Sequence, residues 1–430
     1  MSSIFVHFVL QNRTNCSKRK AFCVEFTRFV IFLSQIYWIF FCKKVSFCHM
    51  KTDFENLNIL QVTAALHEGG VERGTVEMSR FLVNQGCGSF VASSGGQMVE
   101  ELTREGGVHF NLPLVYRNPF SILYSAFKLK GYIQRNHIKL VHARSRAPAW
   151  AAYLAAKWTG TPFITTFHGA HKIQNKFKHF YNSSMVRGLR VVAISQFIKD
   201  HVIENYGIEA EKIDIACRGV DLKKFDVNQF SREDVEALKE KWGCEGKFVI
   251  TLPGRLTRWK GQLSFLKALK EIESDDSWHA LLVGGASKKK NYLEEVKAEI
   301  ERLGLISRVT LTGGQKDIAP FYAMSDVIVC PSLQPEAFGR VPIEAGAMKK
   351  PIVAAGHGGA LETVKDNETG VLFPVGDHVT MAKILLRFIK GDIKTTEMGK
   401  KGYEWVLNSF TLERMCEAEW SAYLKVLGEK

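Results

Sequence analysis

From Leu57 onward the chain alternates short apolar runs with segments of helical period, and it does so twice. "NILQVTA", "KLVHARS", "PFITTFHG" and "RVVAIS" each read as a buried strand ending in a polar loop. The pattern restarts at "KFVITLPGRL" and runs through "HALLVGG", "RVTLTGG", "DVIVCPS", "PIVAAGHGG" and "GVLFPVG". Strands separated by helices pair in parallel, because each helix carries the chain back across the sheet face. Two such series predict two Rossmann-like, doubly wound α/β domains facing a cleft, with ligand loops at the carboxyl ends of the strands. The expected division is a leader over 1–50, an N-terminal domain over 51–222, a polar connection over 223–246, a C-terminal domain over 247–410 and a final helix over 411–430. The apolar residues of that helix recur at helical spacing, which suits packing on a domain surface.

The leader differs from the rest. It holds four of the nine cysteines, eleven aromatic residues, and seven Lys/Arg against one Glu, so the net charge of +14 falls to +8 without it. Its apolar run from Phe29 to Cys42 is interrupted by Ser34 and Gln35 and lacks a small-residue cleavage site. The expected reading is translation from Met50, with the leader as upstream sequence read through. The other is a short membrane anchor whose basic flanks sit at an anionic leaflet. The remaining cysteines show neither C-x-x-C nor zinc spacing and read as buried small hydrophobes in a reducing compartment. Without zinc-finger spacing, an RNA-recognition motif or a basic heptad helix, the charge does not imply a nucleic-acid partner.

Three loops carry chemistry. In "HEGGVERG", Gly69 and Gly70 follow a strand and precede a helix, where backbone amides approach an anion closely, although the dinucleotide fingerprint is missing. In "LPGRLTRWKGQ", Arg255 and Lys260 stand on a strand-to-helix loop and suit a diphosphate. In "PEAFGRVPIEA", a helix expected from Val341 or Pro342 would leave the amides of Gly339, Arg340 and Val341 to face a phosphate. Glu336 and Glu344 then lie on either side of that anion. Carboxylates there suit hydroxyls: those of a sugar on one side and of a ribose on the other.

"PEAFGRVPIEA" resembles the E-x7-E motif of glycosyltransferase family 4, retaining enzymes of GT-B architecture, and "PGRLTRWKGQ" resembles its phosphate-binding loop. "GGVERG", "TTFHGA", "VVAISQFIKDHVIENYG", "RGVDLKKF" and "GHGGALETV" follow in the family's order, and the likeness is strongest to bacterial members assigned to lipopolysaccharide or other surface-glycan assembly. The resemblance implies a hexosyltransferase using a nucleotide-sugar donor, such as a UDP- or GDP-sugar, and a lipid-linked or glycan acceptor. Glu336 would contact the donor sugar, Glu344 the ribose, Arg255 and Lys260 the diphosphate, and His168 the transferred sugar. Gly70 would let the N-terminal domain approach the same phosphates. The family's usual Asn of "N-G-V-D" is Arg218 here.

No D-x-D occurs, so phosphate neutralisation by cations and helix amides is expected, with no metal and no cofactor. Residues 106–199 hold fourteen Lys/Arg and no Asp or Glu. This predicts a basic face, with Arg144, Arg146, Lys172, Lys176 and Lys178, toward an acidic acceptor or an anionic membrane. The protein would then be cytoplasmic and peripheral at the inner face of the cytoplasmic membrane. Competing expectations are a sugar-nucleotide epimerase of the same fold and a non-catalytic protein binding anionic membranes or nucleic acid.

Overall fold

Parallel pairing holds in both series. A computed structural model of the protein describes residues 54, 56–67, 69–170, 175–286 and 291–428. The leader and Lys172 lie outside the described residues. The first sheet comprises β1 (Asn58–Val62), β2 (Gly88–Ser93), β3 (Val108–Asn111), β4 (Ile138–Ala143), β5 (Phe163–Phe167), β6 (Arg190–Ala193) and β7 (Ile213–Ile215), in the order β3-β2-β1-β4-β5-β6-β7. The second comprises β8 (Phe248–Pro253), β9 (Trp278–Val283), β10 (Val309–Gly313), β11 (Val327–Cys330), β12 (Ile352–Ala355) and β13 (Gly370–Phe373), in the order β10-β9-β8-β11-β12-β13. Gly88 apart, both sheets belong to one compact unit, Asn58–Val83 with Ser89–Lys430.

Strand order reverses between β1 and β4, which pair in parallel, and between β8 and β11, which do the same. Loops leaving two such neighbours diverge and open a crevice at their carboxyl ends. Gly69 and Gly70 follow β1, Arg144 and Arg146 follow β4, Arg255 and Lys260 follow β8, and Glu336 follows β11. The strands between are buried on both faces; Ile59, Leu60, Val249 and Ile250 expose nothing. Truncating such a residue to Ala costs about 2–5 kcal/mol.

The helices that bear on the site are α1 (Gly70–Asn84), α2 (Pro119–Arg135), α3 (Arg146–Thr159), α4 (Lys176–Asn182), α5 (Gln196–Tyr206), α6 (Arg340–Ala347) and α7 (Leu412–Gly428). Their limits follow local chemistry. Asn118 caps α2 by accepting from Ser121 N at 2.8 Å, and Pro119 occupies a first-turn position where no N–H is needed. Gly160 ends α3 in the left-handed conformation, φ 66°. The stretch expected as a polar connection contains a helix, Arg232–Lys241, started by a reciprocal capping box between Ser231 and Asp234.

The final helix returns to the first sheet. Tyr423 Oη lies 2.7 Å from His142 Nδ1 on β4, and Lys425 reaches Asp214 on β7 at 2.5 Å. Glu419, on the same helix, accepts from Arg144 at the end of β4.

Candidate functional site

On the C-terminal side the loops after β8 and β11 touch. Gly261 has φ 77°, and a Cβ there would fall 2.0 Å from Pro331 O, so only glycine lets the two loops meet. This brings Lys260 Nζ to 2.7 Å from Glu336 Oε1, which also accepts from Ser332 Oγ at 2.6 Å and Cys330 Sγ at 3.3 Å. Burial works to raise the Glu336 pKa, but the Lys260 ammonium and these hydrogen bonds hold it below the ordinary value. The same burial, with Glu336 beside it, pushes the Cys330 thiol up to about 12. Arg255 is exposed and enters no ion pair among the described residues.

Helix α6 starts at Arg340, one residue before the expected range, because Gly339 takes the left-handed conformation at its N-cap, φ 84°. The amides of Arg340 and Val341 have no carbonyl one turn earlier to accept them. Glu344, one turn inside, is 6% exposed; its Oε2 accepts from Tyr322 Oη at 2.9 Å and its Oε1 lies 3.3 Å from Arg340 Nε. Burial raises its pKa. The loop before α6 is braced by "GHGG": His357 Nε2 donates to Ser332 O at 2.8 Å, and Gly359 N donates to Glu336 O at 2.8 Å.

On the N-terminal side His168 follows β5, and Arg218 Nη2 lies 2.8 Å from its Nδ1. A guanidinium only donates, so Nδ1 accepts and a neutral ring carries its proton on Nε2. Burial, then the neighbouring Arg144, pushes the Arg218 pKa down to about 10. Gly74 of α1 makes room for this arginine; a Cβ there would sit 2.3 Å from Arg218 Nη1. A Cβ on Gly70 would meet nothing within 4 Å, so the start of α1 faces open space.

Arg144 is not part of an exposed basic face. It is fully buried, ion-paired with Glu419, and donates to Gln61 Oε1 at 2.9 Å. A guanidinium at that depth requires a carboxylate, and the final helix supplies it. Arg146 is half-buried and donates to Asn182 Oδ1 at 3.1 Å; Lys176 and Lys178 are exposed on α4. Arg117, Arg144, Arg146, Thr166 and His168 line a cavity of about 280 Å³.

The two sides are also bonded to each other. Glu362 accepts from Gln196 N at 2.7 Å and Phe197 N at 2.8 Å, at the amino end of α5, and Ser195 Oγ donates to Ala337 O at 2.5 Å. Cys330, Ser332, His357, Glu362 and a defined place for Arg218 escaped sequence reasoning. Each stood in or beside a stretch the sequence offers: Cys330 and Ser332 six and four residues before Glu336 at a strand end, His357 and Glu362 within "GHGGALETV", and Arg218 opening "RGVD".

Two doubly wound parallel sheets, each with its switch-point loops turned to a shared site, define the GT-B architecture of glycosyltransferases. Residues 68–224 match Glycosyltransferase Family 4, and residues 234–405 match Glycosyl transferases group 1. A glycosyltransferase from Rickettsia africae superposes with a TM-score of 0.81 at 38% identity, over 87% of this chain and 99% of that one. The chain therefore belongs to the glycosyltransferases built from these two domains. The capsular polysaccharide biosynthesis glycosyltransferase CapM of Staphylococcus aureus is 26% identical over 371 residues, 83% of this chain and 94% of CapM. Anabaena Alr3699/HepE, solved with UDP and glucose, shares the fold with a TM-score of 0.74 at 24% identity, covering 86% of this chain and 99% of its own.

Proposed function

We propose that the protein is a retaining hexosyltransferase that moves a sugar from a nucleotide-sugar donor to a hydroxyl of a lipid-linked glycan, in lipopolysaccharide or other surface-polysaccharide assembly. The observation that carries this reading is the Glu336–Lys260 pair beside the amino end of α6. It puts a carboxylate, an ammonium and helix amides within one small volume. A diphosphate entering there draws Lys260 and the amides of Arg340 and Val341 to its oxygens, with Arg255 adding charge from the rim. Glu336, released from Lys260, accepts from donor-sugar hydroxyls, and Glu344 accepts from the ribose. His168, with its proton on Nε2, donates toward the transferred sugar.

In the reaction the anomeric carbon–oxygen bond to the diphosphate breaks, and the acceptor oxygen bonds to the same face of the same carbon. The acceptor's proton passes to the departing diphosphate. No protein nucleophile is required, and the cations and amides stabilise the leaving group. The names of CapM and of HepE with UDP and glucose agree with a surface glycan and a uridine nucleotide. The test is a panel of nucleotide sugars on the chain from Met50, with and without EDTA, read by thermal stabilisation and by the anomeric configuration of the product. One donor should stabilise the protein, EDTA should change nothing, and Glu344→Ala should lose the effect. An inverted product would overturn the retaining assignment.

A membrane-facing role for the N-terminal half has its own observation. On α2, Phe120 is 85% exposed, with Tyr124 and Phe127 exposed on the same face and Lys128 and Lys130 beside them; on α4, Phe177 and Phe180 are exposed among lysines. Aromatic residues interleaved with lysines suit an anionic lipid surface. Vesicles containing phosphatidylglycerol should bind the protein, and Phe120→Ser with charge reversal at Lys176 and Lys178 should release it. Unchanged binding would reject this face. Among the described residues no helix is long and apolar enough to cross a membrane.

A further inference from the structure

The cavity beside His168 contains more positive charge than the fold neutralises. Among the described residues its lining includes three arginines and no carboxylate. Among the described residues only Arg144 of the three has an acidic partner, Glu419, through Nη1; its Nε and Nη2 are buried and meet no hydrogen-bond partner among them. Arg117 and Arg146 enter no ion pair among the described residues. They also repel each other: burial and then Arg117 lower the Arg146 pKa. The amino end of α3 opens onto the same space. Ser145 holds its N-cap position with an extended backbone but makes no side-chain cap hydrogen bond, and its Oγ is buried with no partner among the described residues. Pro148 contributes no N–H to that first turn, so the helical amides left there are those of Arg146 and Ala147.

Mutually repelling guanidiniums, buried donors that the described residues do not satisfy and an uncapped helix start are each unfavourable, and one anion relieves all three. We infer that this cavity is an oxyanion subsite, and that the acceptor carries a phosphate or carboxylate group bound there by Arg117, Arg146 and the amino end of α3. The inference rests on the transferase reading and names the acceptor's chemical class. Arg144, held from behind by Glu419, shapes the floor. Arg146 binds from the side, with its other donor on Asn182, and Arg117 closes over the anion from the exposed rim. The cavity reaches His168, so an anion seated here fixes the acceptor in register with the reacting sugar rather than at a distance from it.

The probes are glycerol 3-phosphate, glycerate and glycerol, titrated calorimetrically into the full chain, with UDP and GDP as separate titrants for the donor side. The expected result is binding of one or both anions, no binding of glycerol, and weakening by salt. Arg117→Glu, an exposed change that spares the core, should weaken the anion at least tenfold. Arg117→Ala with Arg146→Ala should do the same, and Lys260→Ala should not. Preference for glycerol 3-phosphate identifies a phosphomonoester, and preference for glycerate a carboxylate. Equal binding of all three probes, or wild-type affinity in the arginine variants, overturns the subsite. Nucleotide binding separates the two readings: if UDP or GDP still binds when the anion result fails, only the subsite falls, and if neither nucleotide binds, the donor-site reading fails.

Discussion

The two sides of the site solve opposite electrostatic problems. On the C-terminal side Lys260 and Arg340 are already matched: Glu336 holds Lys260, and Glu344 holds Arg340 and Tyr322. On the N-terminal side the cavity is lined, among the described residues, by arginines without an acid, and the carboxylate that answers Arg144 comes from the last helix. A matched pair accepts a ligand by exchanging partners, so hydroxyls and phosphates can replace protein contacts at little cost in buried charge. An unmatched cluster holds its shape only through the scaffold behind it. The first arrangement suits a donor with both acceptors and anions; the second suits an anion alone.

The comparison breaks most sharply at Glu419. Glu419→Ala leaves Arg144 buried and uncompensated, and should lower stability by about 3–5 kcal/mol in urea unfolding. A loss under about 1 kcal/mol would mean that the arginine finds another partner. On the matched side, Lys260→Ala should fold normally and lose about 10²- to 10³-fold in kcat, because it removes a leaving-group donor. Full turnover in that variant would remove Lys260 from the chemistry. Arg218→Met tests the link to His168. Activity should drop about tenfold or more, with kcat affected more than donor KM, and nitrogen NMR should show His168 released from its Nε2-protonated tautomer. An unmoved histidine spectrum would make Arg218 packing alone.

The last test is titration. Burial pushes the His142 pKa down to about 3, so the unfolded chain binds a proton there that the folded chain refuses. Stability should therefore fall as pH drops from 6.5 toward about 3, by up to about 1.4 kcal/mol per pH unit from this group. His109, His201 and His279, also lowered by burial, act in the same direction. His142→Gln should flatten the slope in thermal melts between pH 6.5 and 5 without abolishing it.

The C-terminal half was almost fully readable because each of its six strands is an apolar run closed by glycine or a polar loop. In the N-terminal half β2, β3 and β7 were not read. β3 has half-exposed residues on both faces, and β7 is three residues long at an edge, so neither leaves a burial pattern. Positions of the site loops were equally legible, since they follow from strand ends. Partners were not. "HARSR" looks like surface charge because the acid that buries Arg144 lies 275 residues further on. Arg218 and His168, 50 residues apart, meet only through the order of β5, β6 and β7.

The bonds from Glu362 to the amino end of α5 have a kinetic consequence. The amides of Gln196 and Phe197 precede any helical acceptor, so their protection from solvent exchange depends on a carboxylate belonging to the opposite half of the molecule. Every excursion that parts the halves exposes both amides together. Deuterium uptake at these two positions thus clocks the opening of the cleft, and it does so in the free protein, before any donor or acceptor has been found.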